Sequence, residues 1–118
     1  VEDDEILLRM NMRLLLAHGY RVLAARDGEE ALALLRDGGK DADLLLTDVV
    51  MPGIDGGELA REALKLKPGL KVIFASGYVE HAALERLQTT KYELLQKPVA
   101  LDDLARKVRE VLDRKAPA

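Results

Sequence analysis

The chain has no cysteine in 118 residues, which excludes a disulfide framework and any thiolate metal site and fits a reducing compartment. It has no tryptophan, one phenylalanine and three tyrosines, so the core must be built from aliphatic side chains, chiefly Leu, Ala and Val. It has no excess of basic charge: 18 Lys and Arg stand against 21 Asp and Glu, a net charge of −3, and no basic stripe suited to nucleic acid is present. No apolar run approaches the ~18 residues that cross a bilayer. Methionine does not open the chain and no signal-peptide pattern is visible after Val1, so the sequence reads as a processed or truncated cytoplasmic product. What is present, 48% hydrophobic and 33% charged residues, suits one globular domain spanning 1–118.

Helical and strand patterns alternate with no linker between them. Residues 5–18 carry Ile6, Leu7, Met10, Leu14 and Ala17 at helical spacing, and Gly19 ends that helix. Arg21–Ala25 reads as a short strand. Asp27 with Glu30 three residues on forms a reciprocal capping pair for a helix over 28–37, with Ala31, Leu34 and Leu35 inward and Gly38-Gly39 as its stop. The apolar run at 43–47 predicts a strand buried on both faces, and Met51–Gly57 a loop. A helix over 58–67, a strand over 71–75, a helix near 80–88, a short strand at 93–95 and a helix over 101–114 complete the pattern. Such alternation predicts parallel βαβ units with helices on both faces of a sheet. Only Val1 and Glu2 stand where a strand should precede the first helix. A natural chain extending upstream by roughly one strand, ~4–6 residues, is therefore expected.

The chemistry lies just beyond the strand ends: Glu2-Asp3-Asp4 after the first, then Asp48, Ser76 and Lys97 after later ones. In a parallel sheet all strand C-termini share one edge, so these four segments converge there. Clustered carboxylates repel one another in a partly dry cleft, and a divalent cation relieves this. All-oxygen ligands favour Mg²⁺ or Mn²⁺ over zinc. A carboxylate beside the metal can act as nucleophile and form an acyl phosphate, with the metal and the Lys97 ammonium neutralising charge and the Ser76 hydroxyl bonding the phosphoryl group.

With these residues in place the chain resembles the receiver domain of response regulators. Glu2-Asp3 is similar to the family's acidic pair, Leu46-Thr47-Asp48-Val49-Val50-Met51-Pro52-Gly53 to its phosphoacceptor motif, Ser76-Gly77 to its switch hydroxyl and small neighbour, and Lys97-Pro98 to its lysine-proline. The resemblance implies a flavodoxin-like, doubly wound sheet of five parallel strands in the order 2-1-3-4-5, here with most of the first strand missing. It implies Asp48 as phosphoacceptor, Glu2, Asp3, Asp48 and the Val50 backbone carbonyl as holders of Mg²⁺, Ser76 and Lys97 as phosphoryl contacts, and a cis Lys97–Pro98 bond. The implied donor is a sensor histidine kinase or its phosphohistidine domain. A histidine phosphotransfer protein is a further partner, and dimerisation is left open. Phe74–Tyr78 and Leu94–Val99 resemble receivers fused behind sensor histidine kinases.

One departure matters. Receivers commonly carry an aromatic ring or His three residues before the lysine, and here that position is Leu94, with Tyr92 on the same strand face. An output that relays the phosphoryl group, rather than one read through a ring, is expected.

Each motif alone has an ordinary explanation: an acidic helix start, a turn-forming Asp, a loop Ser-Gly, a surface Lys-Pro. Their joint placement after successive strands is what outweighs those. His18 and His81 read as structural or solvent-facing, and Asp102-Asp103 as a dipole-favoured helix start. Two rivals are weighed. An aspartyl-phosphate phosphohydrolase of the haloacid-dehalogenase kind needs a second Asp two residues after the nucleophile, where this chain has Val50. An interaction module without phosphotransfer would have no use for Asp48, Lys97 and the acidic pair together. The expectation is thus a signalling domain rather than an enzyme, acting apart from membrane and nucleic acid.

Overall fold

The structure, a computed structural model, describes residues 1–37, 41–51, 53–77 and 92–113. Among the described residues four helices, α1 (Glu5–Ala17), α2 (Gly28–Arg36), α3 (Gly56–Leu66) and α4 (Leu101–Asp113), and three strands, β1 (Leu44–Asp48), β2 (Lys71–Ser76) and β3 (Tyr92–Gln96), follow in the order α1-α2-β1-α3-β2-β3-α4. The strands form one sheet in the order β1-β2-β3, every pair parallel. The helix expected near 80–88, and His81 with it, lies outside the described residues.

Alternation along the strands assigns the two faces, because successive side chains of a strand point to opposite sides. Leu45, Val72 and Phe74 join a core with Ala31, Leu32, Leu59, Ala60 and Ala63 from α2 and α3. Their neighbours Leu44, Leu46 and Ile73 turn the other way, to Leu104, Val108 and Val111 of α4 and to Leu14 and Leu15 of α1. Both faces of the sheet are therefore covered, as expected of a doubly wound α/β domain. Ile73, fully buried, is the centre of the second face.

Three expectations need correction. Arg21–Ala25 is not a strand: a strand exists through its ladder, and the one backbone bond found here runs from the Glu2 N–H to the Ala25 carbonyl at 3.1 Å. Val1 and Glu2 nevertheless lie between that segment and β1, since the Val1 amine donates to the Leu46 carbonyl and the Asp48 N–H to the Val1 carbonyl at 3.2 Å. Among the described residues the sheet thus has three assigned strands. Second, the apolar positions of α1 do not all meet the core. Ile6, Leu7 and Met10 are exposed, because α1 packs on α4 through its second half. Third, α3 begins at Gly56, two residues earlier than the loop pattern implied, because the Asp55 carboxylate accepts from the Glu58 N–H at 2.8 Å and caps it. Asp27 caps α2 in the same way through the Glu30 N–H.

Candidate functional site

The parallel register sets the site. Asp48, the last residue of β1, pairs with Ala75, which pairs with Leu95. Ser76 and Gln96 form the next row, and two backbone bonds carry the pairing onward: Val49 N–H to the Ala75 carbonyl at 3.3 Å and Lys97 N–H to the Ser76 carbonyl at 2.7 Å. Asp48, Ser76 and Lys97 therefore leave the sheet at one edge. Glu2 and Asp3 arrive there from the other side, where Asp4 caps α1 through the Ile6 and Leu7 N–H groups.

Carboxylate oxygens of Glu2, Asp3 and Asp48 lie within 4.8 Å of one another. Glu2 and Asp48 are buried and Asp3 is exposed, so the cluster opens to solvent on the Asp3 side. The Lys97 ammonium sits against it, donating to Asp48 Oδ2 at 2.8 Å and to Glu2 Oε2 at 3.3 Å. The Glu2 carboxylate also accepts from the Asp4 N–H at 3.0 Å, which fixes the turn carrying the acidic pair. Ser76 is buried at the end of β2. The Val50 side chain is exposed in the loop after β1, and the Lys97–Pro98 bond is cis, as the resemblance implied.

The electrostatics are those of crowded acids. Burial pushes the Asp48 carboxyl up, the hydrogen-bonded neighbour Glu2 adds to this and Lys97 opposes it, leaving Asp48 at about 7. Burial depresses the Lys97 ammonium, but its hydrogen bond to Asp48 and the charges of Asp48 and Glu2 outweigh that and raise it. Lys97 therefore stays charged while the carboxylates compete for what neutralises them. One ammonium cannot balance three carboxylates. A hard divalent cation with oxygen ligands fits the donor set, and Glu2, Asp3 and Asp48 are the side chains that would hold it.

The residues that look chemical but stand apart do so for visible reasons. His18 closes α1, its Nδ1 2.9 Å from the Leu14 carbonyl. Asp102 and Asp103 sit in the first turn of α4, where Asp103 pairs with Arg106 at 3.3 Å. What sequence reasoning missed is Gly56, which touches the backbone of Asp48 itself. A signal was available: Asp55-Gly56-Gly57-Glu58 repeats the Asp-Gly-x-Glu spacing of Asp27–Glu30.

A doubly wound sheet with acids, a buried aspartate and a lysine at its C-terminal edge defines a receiver-type phosphotransfer site. Residues 1–109 match the response regulator receiver domain family, and the chain belongs to that family. It is 40% identical over 115 residues to the sensor kinase CckA of Brucella abortus (strain 2308), covering 97% of this chain but only 12% of that protein. It is 35% identical to the response regulator receiver protein CpdR of the same organism, covering 94% of this chain and 92% of CpdR. Among solved structures, the receiver domain of the hybrid histidine kinase CckA superposes with a TM-score of 0.81 at 37% identity, over 95% of this chain and 94% of that one. A response regulator receiver domain protein from Clostridium thermocellum superposes with a TM-score of 0.83 at 29% identity, over 96% of this chain and 90% of that one. The fold is thus the CheY-like receiver fold, and the domain is a module of two-component signalling. Among the described residues no helix is long and apolar enough to cross a membrane.

Proposed function

We propose that Asp48 takes a phosphoryl group from the phosphohistidine of a sensor kinase or of a phosphotransfer protein, with Mg²⁺ (or Mn²⁺) bound by Glu2, Asp3, Asp48 and the Val50 carbonyl. The observation that carries this is the Lys97 ammonium 2.8 Å from a buried Asp48 carboxylate that two further acids crowd. In the transfer an Asp48 oxygen attacks phosphorus and forms a C–O–P acyl phosphate, while the P–N bond breaks and its electron pair returns to the donor imidazole. A bound divalent cation supplies charge neutralisation and orientation for the phosphoryl oxygens. Lys97 opposes the burial that raises the acceptor carboxyl and then meets the phosphoryl group, and Ser76 offers it a hydroxyl donor. Later hydrolysis of the acyl phosphate resets the site.

Leu94 supports onward transfer as the output. It is partly buried against the α2–α3 core and pairs with Phe74 on β2. An aliphatic side chain there has no hydroxyl or ring edge to exchange between core and solvent. The similarity to the CckA receiver, together with 12% coverage of that kinase, supports placing this domain in a hybrid kinase pathway.

The test is incubation with acetyl phosphate and Mg²⁺, followed by intact mass. A hydroxylamine-labile adduct on the wild-type chain, absent from Asp48→Asn and from reactions with chelator, is expected. An adduct that persists in Asp48→Asn, or none on the wild-type chain, refutes the proposal.

A further inference from the structure

Two glycines outside the acid cluster press against the loop that leaves Asp48. Gly56 opens α3, and a Cβ added there would lie 2.1 Å from the Asp48 carbonyl oxygen and 3.0 Å from both the Asp48 carbonyl carbon and Val49 Cα. Its N–H donates to the Val49 carbonyl at 2.7 Å. The Thr47 hydroxyl, itself buried, donates to the same Asp48 carbonyl at 3.0 Å, so that peptide is gripped from two directions. Gly28 opens α2, and a Cβ there would lie 2.4 Å from Ile54 Cγ1 and 2.7 Å from Cδ1, in the middle of the same loop. Helix propensity alone favours alanine at both positions. The contacts reverse that preference, most firmly at Gly56, where the obstacle is backbone and cannot rotate away.

We propose that Gly56 is a positioning residue for the phosphoryl acceptor, with Gly28 as its support through Ile54: the missing side chains let α3 close on Asp48 and Val49, and α2 on Ile54, and so hold the Asp48 carboxylate and the Val50 carbonyl in register with Lys97. This rests on Asp48 being the acceptor. An ordinary carbon–oxygen contact is about 3.3 Å, so a methyl group at Gly56 drives the Asp48 peptide about 1 Å from its place. A misplacement of that size lowers a positioned reaction by up to about 100-fold.

The experiment compares initial rates of labelling by acetyl phosphate at saturating Mg²⁺, alongside Mg²⁺ affinity by titration calorimetry and urea unfolding. The chains are wild type, Gly56→Ala, Gly57→Ala, Gly28→Ala and Gly28→Ala/Ile54→Ala. Gly56→Ala is expected to label about 10- to 100-fold more slowly and to bind Mg²⁺ more weakly while folded. Gly57→Ala, whose Cβ would meet the Asp55 carboxylate only at an ordinary 3.4 Å, keeps the wild-type rate. A folded Gly56→Ala that labels at the wild-type rate overturns the inference. If Gly56→Ala does not fold, the Gly28 pair decides: slowed labelling restored by Ile54→Ala supports the clamp, and a wild-type rate in Gly28→Ala overturns it. If the wild-type chain is not labelled, the acceptor reading fails. Mg²⁺ affinity then judges the clamp, weakened in Gly56→Ala if it holds and unchanged if it does not.

Discussion

Replacing Asp48 by Asn should make the metal-free domain more stable, and the gain should depend on pH with a definite sign. Asp48 is buried and its carboxyl is pushed from 3.8 to about 7. A carboxyl raised on folding means that the native state holds more protons than the unfolded chain between those values. The Asp48 contribution to wild-type stability therefore falls as pH rises from about 4 to about 7, and is flat outside that window. At about 1.4 kcal/mol per pH unit, the ceiling on this loss is about 4 kcal/mol. Water entry and a Lys97 left with Glu2 as its remaining partner reduce it, and a net gain of about 1–3 kcal/mol for Asp48→Asn at pH 8 is expected. Below pH 4 the two chains should converge. The Val1 amine, lowered to about 6 mainly by burial, acts with the opposite sign, adding stability as pH rises from about 6 to about 8, and it feels the Asp48 charge; the difference at pH 8, where the folded amine is neutral in both chains, is therefore the informative quantity. Urea unfolding of both at several pH values between 4 and 8, with chelator, gives that difference. Mg²⁺ at ten times its dissociation constant should then stabilise the wild-type chain at pH 8 by about 1.4 kcal/mol and the variant by less. An Asn variant no more stable than wild type at pH 8 without metal would show that Lys97 already compensates the buried charge, and would refute the reasoning.

Lys97→Ala should leave the fold and Mg²⁺ binding in place while slowing acetyl-phosphate labelling, since it removes the ammonium 2.8 Å from the proposed acceptor Asp48; circular dichroism and calorimetry separate this from loss of structure. Ile73→Ala, in the middle strand and fully buried, should cost about 2–5 kcal/mol in urea unfolding. Asp55→Ala removes the cap that accepts from the Glu58 N–H at 2.8 Å. It should cost about 1 kcal/mol and, by fraying the first turn of α3, also slow labelling.

The strands were legible because their apolar runs are short and continuous, and β1, β2 and β3 fall within about one residue of the patterns that predicted them. Arg21–Ala25 was not, because strand character is shared between partners and periodicity in one segment says nothing of the segment beside it. Nor does periodicity say what covers a helix, as the exposed Ile6 and Met10 show. Asp48 and Lys97 were readable because each is a charged residue at or just past a strand end, and topology alone brings strand ends together. Gly56 was not, because it acts by what it lacks. A glycine that lets two backbones meet carries no chemical signature of its own.

The same crowding that destabilises Asp48 explains why the site takes its particular inventory. With the carboxylates ionised and the Val1 amine neutral, Glu2, Asp3 and Asp48 confront the single ammonium of Lys97. A bound divalent cation would bring that set to neutrality and so offset the cost of two buried acids. On the proposed reading, phosphorylation would replace the single charge of Asp48 by a group carrying about −1.5 to −2, and the neutral set would become anionic again. The excess must be met by further donors. Lys97 is already at 2.8 Å and has little further to travel, whereas Ser76 ends the neighbouring strand and a hydroxyl can rotate to present a donor. Any conformational consequence of phosphorylation in this chain should therefore begin at the β2 end rather than at β3, where Leu94 has no polar group to recruit.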